Sequence, residues 1–159
     1  MSQASPATRQ INGAKFRIGV VASRFNEALV EGLLAQLTAG LKKAGVKTGK
    51  IKLVRVPGSH EVPWAVGRLA ASRGFDCLVA LGVLIGGDTN HHELVGQSVS
   101  HALQRVALDT GIPVINGVIV ADTIAQARAR CTGRLNRGAE FAHAALAMAG
   151  LKISLKGKS

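Results

Sequence analysis

Residues 75 to 85, FDCLVALGVLI, are apolar at every position from Cys77 onward. A strand with one wet face alternates apolar and polar residues. A strand apolar throughout must be covered on both faces, as a central strand of a parallel sheet is. Three other segments fit the same sheet: FRIGVVA (16 to 22), KIKLVRV (50 to 56) and VINGVIV (114 to 120). Between them the apolar period changes to that of a helix. Asn26 opens a pattern carried by Leu29, Val30, Leu33, Leu34, Leu37 and Leu41 and stopped by Gly45. Pro57 and Gly58 turn the chain, and Ser59 is placed to cap a helix ending at Gly74. Residues 90 to 110 repeat Val95, Val99, Ala102 and Val106 before Gly111 and Pro113. Thr123 and Gln126 stand at capping-box spacing before a short helix, and Asn136 opens a last one through Ala142, Leu146 and Ala149.

Strand and helix therefore alternate. Right-handed crossovers then put helices on both faces of the sheet, predicting an α/β, flavodoxin-like three-layer sandwich with a four-stranded parallel sheet. With 159 residues, one core is sufficient. The expected organisation is a flexible N-terminal arm (1–15), one domain (16–151) and a basic C-terminal tail (152–159). The first fifteen residues hold no apolar segment of the kind a secretion signal needs. The apolar window from Cys77 to Ile85 falls far short of the about 20 residues of a membrane span. Two cysteines, Cys77 and Cys131, give neither a disulfide framework nor a zinc spacing. The expected location is cytoplasmic, with no membrane partner.

The formal charge of +11 raises the question of nucleic acid. The cations gather in three groups: Lys42 to Arg55, Arg128 to Arg137, and the tail. None is interleaved with the aromatics that stack bases, since aromatics make up 3% of the chain. The expectation is a solvated basic surface, nucleic acid held only by non-specific charge, and an anionic ligand for the arginine group.

In a parallel α/β sheet, ligands bind beyond the carboxyl ends of the strands, where helix N-termini converge. The segments that follow the strands here are SRFN, PGSHE, GGDTNHH and ADT. Together they offer an aromatic ring, a carboxylate, a glycine pair and histidines. Gly86 and Gly87 permit positive φ and close backbone approach, so the amides of Gly87, Asp88 and Thr89 can form an anion nest. His91 follows at the first turn of a helix, placed to shuttle protons. Neither a P-loop nor a dinucleotide fingerprint is present. His91, His92 and Glu93 are consecutive and point in different directions, so no metal is expected.

Five ordered blocks, RFNEALVEGLL, VPGSHEVPWA, DCLVALGVLIGGDTNHHELV, GIPVINGVIVADTIAQARAR and NRGAEFAHAALAM, make the chain resemble the 6,7-dimethyl-8-ribityllumazine synthase (lumazine synthase) family from about Phe16 to Met148. The resemblance implies a transferase of riboflavin biosynthesis. It would condense 5-amino-6-(D-ribitylamino)uracil with 3,4-dihydroxy-2-butanone 4-phosphate, without cofactor or metal, releasing phosphate and water. Carried onto this sequence, it implies His91 as general acid/base. Phe25 would stack on the pyrimidine, with Ser59, His60 and Glu61 toward the ribityl chain, and Val83, Ile85, Asn116 and Val118 lining the pocket. Gly87, Asp88 and Thr89 would hold the phosphate, clamped by Arg130 across a subunit boundary. It further implies a pentamer, or an icosahedral capsid built of pentamers. The chain departs from the family's common pattern at His60, usually aromatic, at Gly86, often Arg or Lys, and at Asn116, often Phe. Those departures motivate a rival reading, a binding module that holds a flavin or lumazine without turnover. The acid-free Lys42 to Arg55 run motivates a second, a shell associated with nucleic acid.

Overall fold

The computed structural model describes residues 9–157. Its four strands are β1 (Ile18–Ser23), β2 (Ile51–Val56), β3 (Cys77–Ile85) and β4 (Val114–Ala121). They form one all-parallel sheet in the order β2-β1-β3-β4. The helices are α1 (Glu27–Lys43), α2 (Val62–Ala71), α3 (His91–Thr110), α4 (Ile124–Cys131) and α5 (Arg137–Lys156). The α/β three-layer expectation is met.

Side chains leave successive strand residues on opposite faces, and the two cores divide accordingly. Ile18, Val20 and Ala22 of β1 with Cys77, Val79, Leu81 and Val83 of β3 face α1, α4 and α5. Val21, Leu78 and Ala80 face α2 and α3. β3 is buried along Cys77–Val83, as its composition requires. It also outruns β1: the β1 register ends at Ala22 opposite Leu81, whereas Val83, Leu84 and Ile85 pair only with β4. Those three residues stand as a wall above the end of β1.

Three local expectations are revised. Ser59 does not cap α2. It begins a short 3-10 turn, Ser59–Glu61, and the turn is closed by Glu61, whose Oε2 accepts from the Gly58 N–H at 2.8 Å. The described part of the expected arm docks on the domain. Gly13 N–H donates to Ala44 O at 2.7 Å, Lys50 Nζ reaches the carbonyls of Ala14 and Lys15, and Ile11 packs against the core; residues 1–8 lie outside the described residues. At the other end α5 continues past residue 151, because Lys152 is anchored by donation to Phe75 O at 2.9 Å and by Asp76 at 3.8 Å. Much of the supposed tail is helix.

No helix of the described residues is long and apolar enough to cross a membrane. Cys77 and Cys131 are free and buried. Burial disfavours the thiolate, pushing Cys77 up to about 12 and Cys131 up to about 11. With both thiols protonated at pH 8, Ellman's reagent is expected to label neither in the native protein and both after denaturation. Rapid native labelling of either would contradict the packing.

Candidate active site

The carboxyl edge of the sheet is built by tethering successive loops to one another. Arg24 and Phe25 donate their N–H groups to Val56 O and Pro57 O at 2.8 and 3.0 Å, which fastens the end of β1 to the end of β2. The Phe25 ring is left projecting, 72% exposed. Asn26 adopts a left-handed conformation (φ 55) and makes no side-chain cap for α1. Its Nδ2 instead donates to Val83 O at 2.8 Å, reaching across to β3. Asn is among the few residues that take this conformation readily, so the local choice serves the tether.

These tethers enclose a crevice of about 400 Å³, lined by the loops after β1 and β2, the end of β3 and the start of α3. It lies between β1 and β3, where the crossovers depart to opposite faces, as the topology rule requires. Of the residues singled out from sequence, Phe25, Ser59, His60, Glu61, Val83, Ile85, Gly87, Thr89 and His91 line it. Asp88 is exposed beside it.

The floor is held by a close approach. Ser59 is buried and its Oγ has no hydrogen-bond partner among the described residues; the same holds for Ser23. A Cβ on Gly82 would stand 2.4 Å from Ser59 Oγ and 3.4 Å from Ser23 Oγ. Gly82 therefore makes room for two hydroxyls at the base of the crevice. Buried unpaired hydroxyls are costly, and Ser59 is positioned to recover that cost by binding a polar ligand. Glu61 spends one carboxylate oxygen on the Gly58 amide and retains the other.

The glycine turn after β3 differs from the sequence expectation. Neither Gly86 nor Gly87 has positive φ. Gly86 is needed for proximity: a Cβ there would lie 2.6 Å from Asp122 O, while Gly87 faces open space. The amides of Gly87, Asp88 and Thr89 donate to no acceptor among the described residues. Directly beyond them begins the 20-residue helix α3, whose N-cap Asn90 makes no side-chain bond. Free amides at the positive end of a long helix suit an anion. His91 is the first residue of that helix and is exposed to the crevice.

Arg130, Asn116 and Val118 are not part of this crevice. They line a second one, of about 230 Å³, with Ile119, Val120, Arg137 and Phe141. Arg130 is held by its own helix, donating to Gln126 O at 2.9 Å, and Asn116 Oδ1 accepts from Val118 N–H at 3.1 Å. Within one chain the candidate residues thus fall into two groups at two places. Sequence reading overlooked the Asn26 tether and the crevice positions of Gly58, Leu84 and Val95. A non-glycine residue suited to positive φ just before a helix was the available signal for Asn26.

The geometry of the floor gives a direct test. Gly82→Ala is expected to lose about 1–3 kcal/mol in urea unfolding through overpacking, and Gly82→Ala combined with Ser59→Gly to recover most of it. Gly87→Ala should stay near wild type. An unaffected Gly82→Ala would contradict the close approach.

Comparison with known proteins agrees with the resemblance. The family model described as 6,7-dimethyl-8-ribityllumazine synthase matches residues 15–152. A protein of that name from Nitrosospira multiformis is 43% identical over 145 residues, 91% of this chain and 89% of its own length. One from Azoarcus sp. is 42% identical over 141 residues, 89% and 88% of the two chains. One from Pyrococcus furiosus is 45% identical over 139 residues, 87% of each.

Proposed function

The chain belongs to the 6,7-dimethyl-8-ribityllumazine synthase family, and from that premise we propose that its reaction runs in the His91 crevice, completed by the Arg130 crevice of a second copy. The enzyme is a transferase of riboflavin biosynthesis that condenses 5-amino-6-(D-ribitylamino)uracil with 3,4-dihydroxy-2-butanone 4-phosphate. The observation that carries the site reading is the gathering of Phe25, Ser59, Glu61, Thr89 and His91 in one crevice, beside the unspent amides of Gly87, Asp88 and Thr89.

Phe25 offers an exposed ring for stacking the pyrimidine between itself and the apolar wall of Val83 and Ile85. Ser59 and the free oxygen of Glu61 take hydroxyls of the ribityl chain, with His60 beside them. The phosphate of the second substrate sits on the turn at the head of α3, in reach of Thr89 and flanked by Asp88. The 5-amino group then attacks the ketone, and loss of water gives an imine. Phosphate leaves, the enol tautomerises, and ring closure expels the second water. His91 supplies and removes protons in these steps, while fixing two substrates side by side supplies much of the acceleration.

Arg130 is the cation that fits a dianion best, since its guanidinium can clamp two oxygens at once. It stands in the other crevice, with Asn116 and Val118. Its participation therefore calls for a neighbouring protomer, in a head-to-tail contact that closes as a ring. Exposed apolar residues support such contacts. Trp64 and Leu108 are 73% and 75% exposed, Leu94 is exposed as well, and α3 has only Val99 and Leu103 buried along its 20 residues. We take the ring to be a pentamer located in the cytoplasm. A capsid of pentamers would accumulate the +11 charge of each chain and need anionic screening.

Mixing both substrates with purified protein and following lumazine absorbance tests the reading. His91→Ala is expected to lower kcat by about 10²–10⁴-fold, and Arg130→Ala to raise the KM for the butanone phosphate by about 10- to 100-fold. Chains carrying the two substitutions, co-assembled in equal amounts, should recover about a quarter of the wild-type sites, because each site draws on two protomers. A mixture no more active than its parents would refute the shared site. Ligand binding without turnover in the wild type would favour the non-catalytic reading.

A further inference from the structure

The second histidine of the HH pair has no part in the reaction assigned above, yet its surroundings are the more unusual. His92 follows His91 in the first turn of α3, and its side chain is only 11% exposed. Both ring nitrogens are buried and neither has a hydrogen-bond partner among the described residues. Leaving a buried imidazole unpaired is unfavourable. Its Nε2 lies 3.5 Å from Oδ1 of Asp122, the residue directly after β4, and the Glu93 carboxylate stands nearby. The ligand atoms of His92, Glu93 and Asp122 all lie within 4.8 Å of one another. Asp122 is itself fixed, its N–H donating to Gln126 Oε1 at 2.9 Å and its carbonyl lying close against Gly86.

We propose that His92, Glu93 and Asp122 form a binding site for a borderline divalent ion of the Zn²⁺ class. The donors are one imidazole and two carboxylates. Imidazole disfavours Mg²⁺ and Ca²⁺, which prefer all-oxygen shells, and suits Zn²⁺ and its neighbours. A tetrahedral ion with bonds of about 2.0–2.1 Å holds its donors about 3.3 Å apart. The His92 to Asp122 spacing of 3.5 Å already matches. Only Glu93, an exposed side chain, has to swing inward. With Nε2 on the ion, Nδ1–H of His92 would be the donor that such ligands normally give to a water, carbonyl or carboxylate. Three protein ligands leave a fourth place open to water. Consecutive histidines and glutamate give no shared helical face, and that is why the sequence alone argues against a metal; Asp122, from the loop just past the end of β4, supplies the missing direction. The ion would tie the head of α3 to the end of β4 at the rim of the crevice, which His92 also lines. The proposal does not rest on the reaction assigned to His91.

Isothermal titration of the untagged, EDTA-stripped full chain with ZnCl₂ tests it. One ion per chain with micromolar affinity is expected, weakened by about tenfold or more in both His92→Ala and Asp122→Asn. The Asp122 side chain is 74% exposed, so Asp122→Asn leaves the fold intact even if His92→Ala does not. His91→Asn should bind Zn²⁺ like wild type, which separates this site from the catalytic proposal. Titration with Co²⁺ should give the intense visible bands of a tetrahedral site in wild type and His91→Asn, and lose them in Asp122→Asn. Absence of saturable binding in the wild type, or binding unchanged by Asp122→Asn, would overturn the site.

Discussion

The pairing of β1 with β3 is the constraint on which the rest of the molecule depends. With β2 on one side of β1 and β4 beyond β3, the crossover after β1 and the crossover after β3 leave the sheet in opposite directions, α1 onto one face and α3 onto the other. A gap opens between their loops at the carboxyl edge. The greater length of β3 walls that gap with Val83, Leu84 and Ile85. The backbone bonds from Arg24 and Phe25 to β2, and from Asn26 to Val83, hold its sides at fixed separation. A ring, a carboxylate, a buried hydroxyl and an imidazole then converge although they are far apart in the chain.

That arrangement is also what the proposed shared site rests on. The unspent amides lie at the head of α3 on one crevice, while the arginine that would complement an anion there lies on α4 in another. Neutralising a phosphate dianion in a partly enclosed crevice calls for a cation as well as dipoles. The apolar residues left exposed on α2 and α3 are the surface by which a second copy could be held while supplying it.

The strands and helices were legible because their physics is local. β3 is apolar at nearly every position and is buried on both faces; Thr123 accepts from Gln126 N–H as the capping spacing implies. Most of the crevice was legible too, since the topology rule names the loops that must meet. What sequence could not give was contact across the fold. Gly86 reads as a turn glycine, but its requirement comes from Asp122 O, just past the end of β4. Ser59 reads as a cap, but the room it occupies is made by Gly82. Glu61 reads as a ligand, and half of it is committed to Gly58. The separation of Arg130, Asn116 and Val118 from His91 follows from where α4 and β4 pack, and no spacing encodes it. His92 and Asp122 belong to the same class, partners visible only once the ends of two elements are side by side.

The most direct measurement is a crystal structure of the assembled protein with a ribitylaminopyrimidine and inorganic phosphate bound. The expected result is a pyrimidine stacked on Phe25 with its ribityl chain at Ser59 and Glu61, and a phosphate touched by the amides of Gly87 to Thr89 together with Arg130 of a neighbouring protomer, with His91 between the two ligands. A phosphate bound without any Arg130, or every Arg130 turned to solvent away from every His91, would contradict a site shared between subunits.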